Sequence, residues 1–309
     1  MADPVTAVTG HPARIGFVGT GRMGLPMCAA LARAGHEVVA TDQRGDRKAS
    51  VLACGAAWQD SPAQAAATAD VLITMLPGPA EVQAAMTGAG GALGALAAGA
   101  TWIDMSSNSP PAVRPLRELA LAHGVAVLEA PVGGGVQAAQ EGRLRLFVGG
   151  EASLLARHRP LLECLAGPDH IAYVGGHGAG YTVKLLVNLL WFGQAVATAE
   201  ALLLGKRTGI DLQVLQETLN SSAAASNFIG CDLQALFHGD YLTSFGLDGI
   251  CQELEAVTEL AAEHHVPFGL SRQVQRTYQQ ALARYGPADG ELLAVALLEE
   301  QAHVDLRDQ

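Results

Sequence analysis

The sequence lacks the features that hold polyanions or span a bilayer. Lysine and arginine number 19 against 30 aspartates and glutamates, and no basic cluster stands out along the chain. A formal charge of −11 without a basic stripe argues against nucleic acid and anionic membrane as partners. No uninterrupted apolar run reaches the roughly 20 residues that a membrane helix needs. The first residues have no charged segment followed by an apolar stretch, so they do not read as a secretory signal. Pro4, Gly10 and Pro12 suggest a short disordered leader. The five cysteines, Cys28, Cys54, Cys164, Cys231 and Cys251, are odd in number and never spaced Cys-x-x-Cys. They fit reduced, mostly packed thiols, with the cytoplasm as the expected location. The histidines show no ligand spacing with Cys, Asp or Glu, so no metal is implied. No solenoid-type repeat is present.

What is present is apolar. With 50% hydrophobic and 16% charged residues over 309 positions, the chain is globular and long enough for two domains. The first half alternates short apolar runs, at 14–19, 37–42, 71–77, 101–106, 125–132, 144–149 and 170–175, with helix-like stretches. Those stretches fall at 23–34, 46–54, 62–67, 110–123 and 153–165. Several runs are apolar throughout, as strands are when both faces of a sheet are covered. This predicts a Rossmann-type α/β domain, doubly wound around a mostly parallel sheet. After 177 the pattern becomes helical: one long segment at 181–207, then 212–220, 247–264 and 271–285. The expected division is a dinucleotide-binding domain at 1–176 and an all-helical substrate and dimerisation domain at 177–309.

Gly19-Thr20-Gly21-Arg22-Met23-Gly24 follows the first strand and opens the first helix. In a Gly-x-Gly-x-x-Gly turn the first glycine permits the tight turn. The second lets backbone approach a pyrophosphate, and the third lets helix and strand pack closely. The helix N-terminus then offers unpaired N–H groups to the phosphates. Asp42, at the end of the second strand, can accept from the adenosine ribose and repel a 2′-phosphate, which favours NAD over NADP. Arg44 and Arg47 follow closely, and a guanidinium could hold that phosphate, so NADP is not excluded.

Lys184 and Asn188 lie four apart at the start of the long helix and project from one face. The rest of that helix is nearly uncharged, which places Lys184 against a cleft where desolvation would bring it into a proton-exchanging range. Spacing alone equally allows a snorkelling surface lysine beside an unrelated asparagine.

Four motifs, in order, resemble the β-hydroxyacid dehydrogenases, the group that includes 3-hydroxyisobutyrate dehydrogenase and tartronate semialdehyde reductase. They are Gly16-Phe17-Val18-Gly19-Thr20-Gly21-Arg22-Met23-Gly24-Leu25-Pro26-Met27, Asp104-Met105-Ser106-Ser107-Asn108-Ser109-Pro110, Glu129-Ala130-Pro131-Val132-Gly133-Gly134-Gly135, and Gly178-Ala179-Gly180-Tyr181-Thr182-Val183-Lys184 continuing to Asn188. The resemblance implies a Rossmann domain followed by a helical domain, and reversible hydride transfer between nicotinamide and a small β-hydroxy acid. It implies Lys184 as general acid/base, with Asn188 orienting the hydroxyl or the lysine. Gly133, Gly134 and Gly135 would bind the substrate carboxylate through backbone N–H groups. Leu76, Pro77 and Ser107 fall where the family contacts the cofactor, and Ser107 also where it meets substrate. From the residues alone, Ser106 and Ser107 read first as caps of the helix near Pro110, and the glycine triple as a flexible turn. His177 reads as a loop residue or an indirect support.

The match departs in three places. Gly133 stands where the family has serine. Gln252 replaces a lysine near the cofactor, and Glu253 replaces the following aspartate. A neutral amide cannot balance a carboxylate as a cation does, which is consistent with a bulkier, less acidic or aminated substrate, or with a compensated change. The competing expectations are an imine or modified-aldehyde reductase and a non-catalytic dinucleotide-binding module. The apolar length of 181–207 predicts a homodimer or homotetramer.

Overall fold

The computed structural model describes residues 12–307, so most of the expected leader lies outside the described residues. The chain forms two compact units, Met1–Lys184 and Leu185–Gln309.

In the first unit, β1 (Arg14–Val18) leads through α1 (Gly24–Arg33) to β2 (Glu37–Thr41). There follow α2 (Lys48–Ala53), β3 (Ala57–Trp58), α3 (Pro62–Ala66), β4 (Val71–Thr74), α4 (Pro79–Thr87) and β5 (Thr101–Asp104). Then come α5 (Pro110–Ala122), β6 (Ala126–Glu129), β7 (Val132–Gly133), α6 (Gly135–Glu141), β8 (Arg145–Gly150), α7 (Ala152–Ala166) and β9 (Ile171–Gly175). They form one sheet ordered β3-β2-β1-β4-β5-β6-β8-β7, with β9 beside β8. Every pair from β3 to β6 is parallel, whereas β8 runs antiparallel to β6 and β7. The strand order reverses between β1 and β4, so the loops after those strands open on one crevice, the place where such sheets bind ligands.

Strand side chains alternate between two buried layers. Ile15, Phe17, Ile73, Ile103 and Leu128 pack with Met27, Leu31, Leu155 and Leu162 on one face. Val18, Leu72, Trp102 and Val127 pack with Val82, Met86, Val113 and Leu116 on the other. Period-two alternation with both faces apolar is why these strands read as continuous hydrophobic runs.

Several elements escaped the sequence pattern. The expected strand at 125–132 is interrupted by Ala130 and Pro131, because proline has no N–H for a ladder. The run at 71–77 ends as strand at Thr74, short of Pro77. Helix α4 starts at Gly78-Pro79, which reads as a turn, yet proline suits the first helical position. Helix α6 starts inside the glycine triple, so its first residues carry no helical signal.

Helix α8 (Ala179–Arg207) crosses the division, and its first turns count with the sheet because Tyr181 packs in the second of those layers. The second unit continues with α9 (Leu212–Asn220), capped by Asp211, which accepts from Gln213 N and Val214 N. After it come α10 (Leu233–Phe237), α11 (Leu247–Glu263), α12 (Gly269–Tyr285) and α13 (Leu293–Ala302); the sequence pattern had missed α10 and α13. By length and composition α8 could cross a membrane. Its Leu185, Leu189, Phe192 and Val196 instead enter one core of this unit, and Ala195, Ala199, Leu202 and Leu203 enter the other.

Candidate active site

The turn after β1 explains its glycines separately. Gly19 has φ +100°, and a Cβ there would stand 2.3 Å from Met75 O. A Cβ on Gly24 would stand 1.9 Å from Gly19 O, so that glycine lets α1 start against the turn. Gly21 differs: a Cβ there meets nothing within 4 Å. Among the described residues no contact demands glycine at position 21, and bare backbone there suits the close approach of a pyrophosphate. Met23 precedes the first helical residue and Arg22 is exposed beside it. These residues fit a dinucleotide.

Asp42 closes the loop. Its Oδ2 accepts from Thr20 N at 2.6 Å and from Thr20 Oγ at 3.2 Å, and its Oδ1 accepts from Arg44 N at 2.9 Å. A carboxylate offers about four acceptor directions, so capacity for a ribose hydroxyl remains. The Arg44 guanidinium turns to Asp46, with Nη2 2.8 Å from Oδ2. That pair is exposed and therefore weak.

Two buried carboxylates at the strand ends hold the beginning of α8, and the sequence reading assigned neither a role. Asp104, ending β5, is fully buried and accepts from Thr74 Oγ1 (2.7 Å), Asn108 Nδ2 (2.6 Å), Tyr181 OH (2.8 Å) and Ser106 N (3.2 Å). Burial pushes its carboxyl above the ordinary range, and the hydrogen bonds from Thr74, Ser106 and Tyr181 pull the other way. Burial and the charge of Asp104 together raise the Tyr181 phenol well above its usual range, so Tyr181 stays a donor. Glu129, ending β6, is 2% exposed and accepts from Gly178 N at 2.6 Å. Its charge therefore lies at the positive end of the long helix. His177 Nδ1 is 3.7 Å from Glu129 Oε1, which makes His177 a neighbour of the helix start. Asp104 opens the run Asp104-Met105-Ser106-Ser107-Asn108-Ser109-Pro110 and Glu129 the run Glu129-Ala130-Pro131-Val132-Gly133-Gly134-Gly135, the sequence signal that marks them.

The remaining residues fall as follows. Ser106 Oγ accepts from Leu76 N at 3.0 Å, and the residue preceding α5 is Ser109, so neither Ser106 nor Ser107 caps that helix. Ser107 is half-buried, Leu76 half-buried and Pro77 exposed. The glycine triple is an ordered entry to α6, with Gly134 at φ +107° and Gly135 at φ +70°. A Cβ on Gly135 would meet nothing within 4 Å, whereas one on Gly133 would touch Phe147 at an ordinary 3.5 Å. On α8, Lys184 and Asn188 are both half-buried. Asn188 Nδ2 donates to Glu253 Oε2 at 2.6 Å. Gln252 is exposed on α11 beside the buried Glu253.

A switch-point sheet with a glycine turn shaped for a pyrophosphate is the arrangement of a dinucleotide-binding domain. Residues 14–175 match the NAD-binding domain of 6-phosphogluconate dehydrogenase. Residues 178–298 match the NAD-binding region of NADP-dependent 3-hydroxyisobutyrate dehydrogenase. The chain is 33% identical over 267 residues to 2-(hydroxymethyl)glutarate dehydrogenase of Eubacterium barkeri, covering 86% of this chain and 88% of that one. It is 39% identical over 212 residues to 3-hydroxyisobutyrate dehydrogenase of Pseudomonas aeruginosa, covering 69% and 70%. The structure of Mycobacterium tuberculosis 3-hydroxyisobutyrate dehydrogenase with L-serine superposes with a TM-score of 0.83 at 30% identity, over 93% of this chain and 99% of that one. The chain belongs to the β-hydroxyacid dehydrogenase family, of the 3-hydroxyisobutyrate dehydrogenase type. It is an NAD(P)-dependent oxidoreductase acting on CH–OH groups.

Proposed function

We propose that this chain oxidises a small, carboxylate-bearing β-hydroxy acid reversibly to its semialdehyde or keto form, with NAD preferred and Lys184 as the general acid/base. The observation that carries the reading is the pair on α8: Lys184 and Asn188 lie one turn apart, and Asn188 donates to the buried Glu253. The bound nicotinamide supplies the hydride acceptor at its C4. In oxidation the Lys184 amine takes the hydroxyl proton as the carbinol hydrogen leaves as hydride; in reduction the ammonium returns that proton. Asn188 orients the hydroxyl. The N–H groups of Gly133, Gly134 and Gly135, with Ser107, hold the carboxylate.

The preference for NAD rests on the Asp42 carboxylate, which can accept from a ribose hydroxyl and would repel a 2′-phosphate. Gly19, Gly21, Arg22, Met23, Gly24, Leu76 and Pro77 line the dinucleotide in this reading, and Gln252 is assigned to the cofactor by the family resemblance alone. Assembly as a homodimer or homotetramer is supported by the exposed Leu186, Leu190 and Leu204 along α8. The cytoplasm is the proposed location, and 1–176 and 177–309 are the proposed functional domains.

The test follows absorbance at 340 nm across hydroxy acids and semialdehydes with both dinucleotides. Lys184→Ala is expected to lower kcat/KM by about 10²- to 10⁴-fold while dinucleotide affinity stays unchanged. Equal turnover without the Lys184 amine would overturn the mechanism. Light scattering that shows only monomer at micromolar concentration would overturn the assembly.

A further inference from the structure

We infer that Glu253 is a positioning residue that sets which way the Asn188 amide faces; this rests on the role proposed above for Asn188. Glu253 is 8% exposed, on the buried side of α11. Its Oε2 receives the Asn188 amide, and its Oε1 has no hydrogen-bond partner among the described residues. Burying a carboxylate with one oxygen unsatisfied costs free energy, and an apolar side chain of similar volume would avoid that cost. Fold stability therefore does not explain the residue.

Its chemistry does. An asparagine amide has two ends of similar shape, one donating and one accepting, and rotation about its last bond exchanges them. A carboxylate only accepts, so Glu253 requires the NH₂ end of Asn188 to turn toward it. The carbonyl end, Oδ1, is then the one presented on the face of α8 that Lys184 shares. An acceptor at that point can take a hydrogen bond from an ammonium or from the substrate hydroxyl. A donor there would oppose the lysine whenever it is charged. Glu253 thus makes Asn188 an acceptor without touching the substrate.

The test reverses the bond. In Glu253→Gln the partner can donate as well as accept, Asn188 can turn, and kcat is expected to fall about tenfold with KM nearly unchanged. In Asn188→Asp two carboxylates abut, and kcat is expected to fall at least about a hundredfold. In the double variant the new amide on α11 donates to one oxygen of the new carboxylate on α8, whose other oxygen still presents an acceptor. Its kcat is expected to return to within about tenfold of the wild type, a strongly non-additive result. A merely structural contact would move stability without this recovery, and additive losses in kcat overturn the inference.

A second measurement needs no turnover. In the cofactor-free protein labelled with ¹⁵N-asparagine, the Asn188 side-chain amide is identified by its loss in Asn188→Asp. One of its protons is expected downfield and slow to exchange, and to become ordinary in Glu253→Gln. An ordinary, fast-exchanging pair in the wild type sinks the assignment to Glu253. A wild type that shows the slow proton yet oxidises no hydroxy acid sinks the proposed function instead.

Discussion

Tyr181 donates its phenolic hydrogen to Asp104 Oδ2 at 2.8 Å, one helical turn before Lys184 on α8. The side chain that opens the lysine-bearing helix is thereby tied to a carboxylate at the end of a central strand. Tyr181→Phe leaves Asp104 with one donor fewer in a fully buried site. It is expected to cost about 1–3 kcal/mol, read by urea unfolding, and to lower kcat through looser placement of Lys184.

Asp104 also predicts a pH effect. Burial raises its folded pKa above the ordinary carboxylate value, about 3.9 in an unfolded chain. Between those values the folded protein holds a proton that the unfolded chain has released. The unfolding free energy contributed by this group is therefore full below the unfolded pKa and declines as pH rises through the folded one. In Asp104→Asn this component is expected to vanish, so that stability rises relative to wild type across that window. Parallel stability–pH curves for the two proteins would contradict the assignment.

The two glycines of the dinucleotide turn separate folding from binding. Gly21→Ala is expected to leave stability within about 0.5 kcal/mol, because its Cβ meets nothing, and to weaken dinucleotide affinity by at least about tenfold. Gly24→Ala drives a methyl onto Gly19 O and is expected to cost about 2–4 kcal/mol. Unfolding curves and dinucleotide titrations on both variants decide this. Equal destabilisation would refute the separation.

Gly133 has room for a serine side chain. A serine Cβ there would rest in van der Waals contact with Phe147 at 3.5 Å, and the backbone is not left-handed. Gly133→Ser is expected to fold normally and to lower KM for a carboxylate substrate about two- to tenfold, from one added hydrogen bond of about 0.5–1.5 kcal/mol. Gly134→Ala, at φ +107° and with its Cβ 2.7 Å from that of Ala138, is expected to lose stability.

Much of this was legible before folding. The Rossmann half could be read because a doubly covered parallel sheet needs strands apolar on both faces, and β1, β4 and β5 carry that pattern through Ile15, Leu72 and Ile103. The glycine turn and the Lys184–Asn188 spacing were legible because both are local: a turn conformation and one helical repeat lie within a few residues. Short elements with weak patterns, such as α6 inside the glycine triple, gave no such signal.

The long-range pairings had to come from tertiary structure. Asp104 with Tyr181, Glu129 with Gly178 and Asn188 with Glu253 join positions 77, 49 and 65 residues apart. No periodicity connects such residues, since their partnership depends on which strand ends and helix faces meet after packing. A buried carboxylate takes its role from the donors that surround it, and that environment exists only in the folded chain.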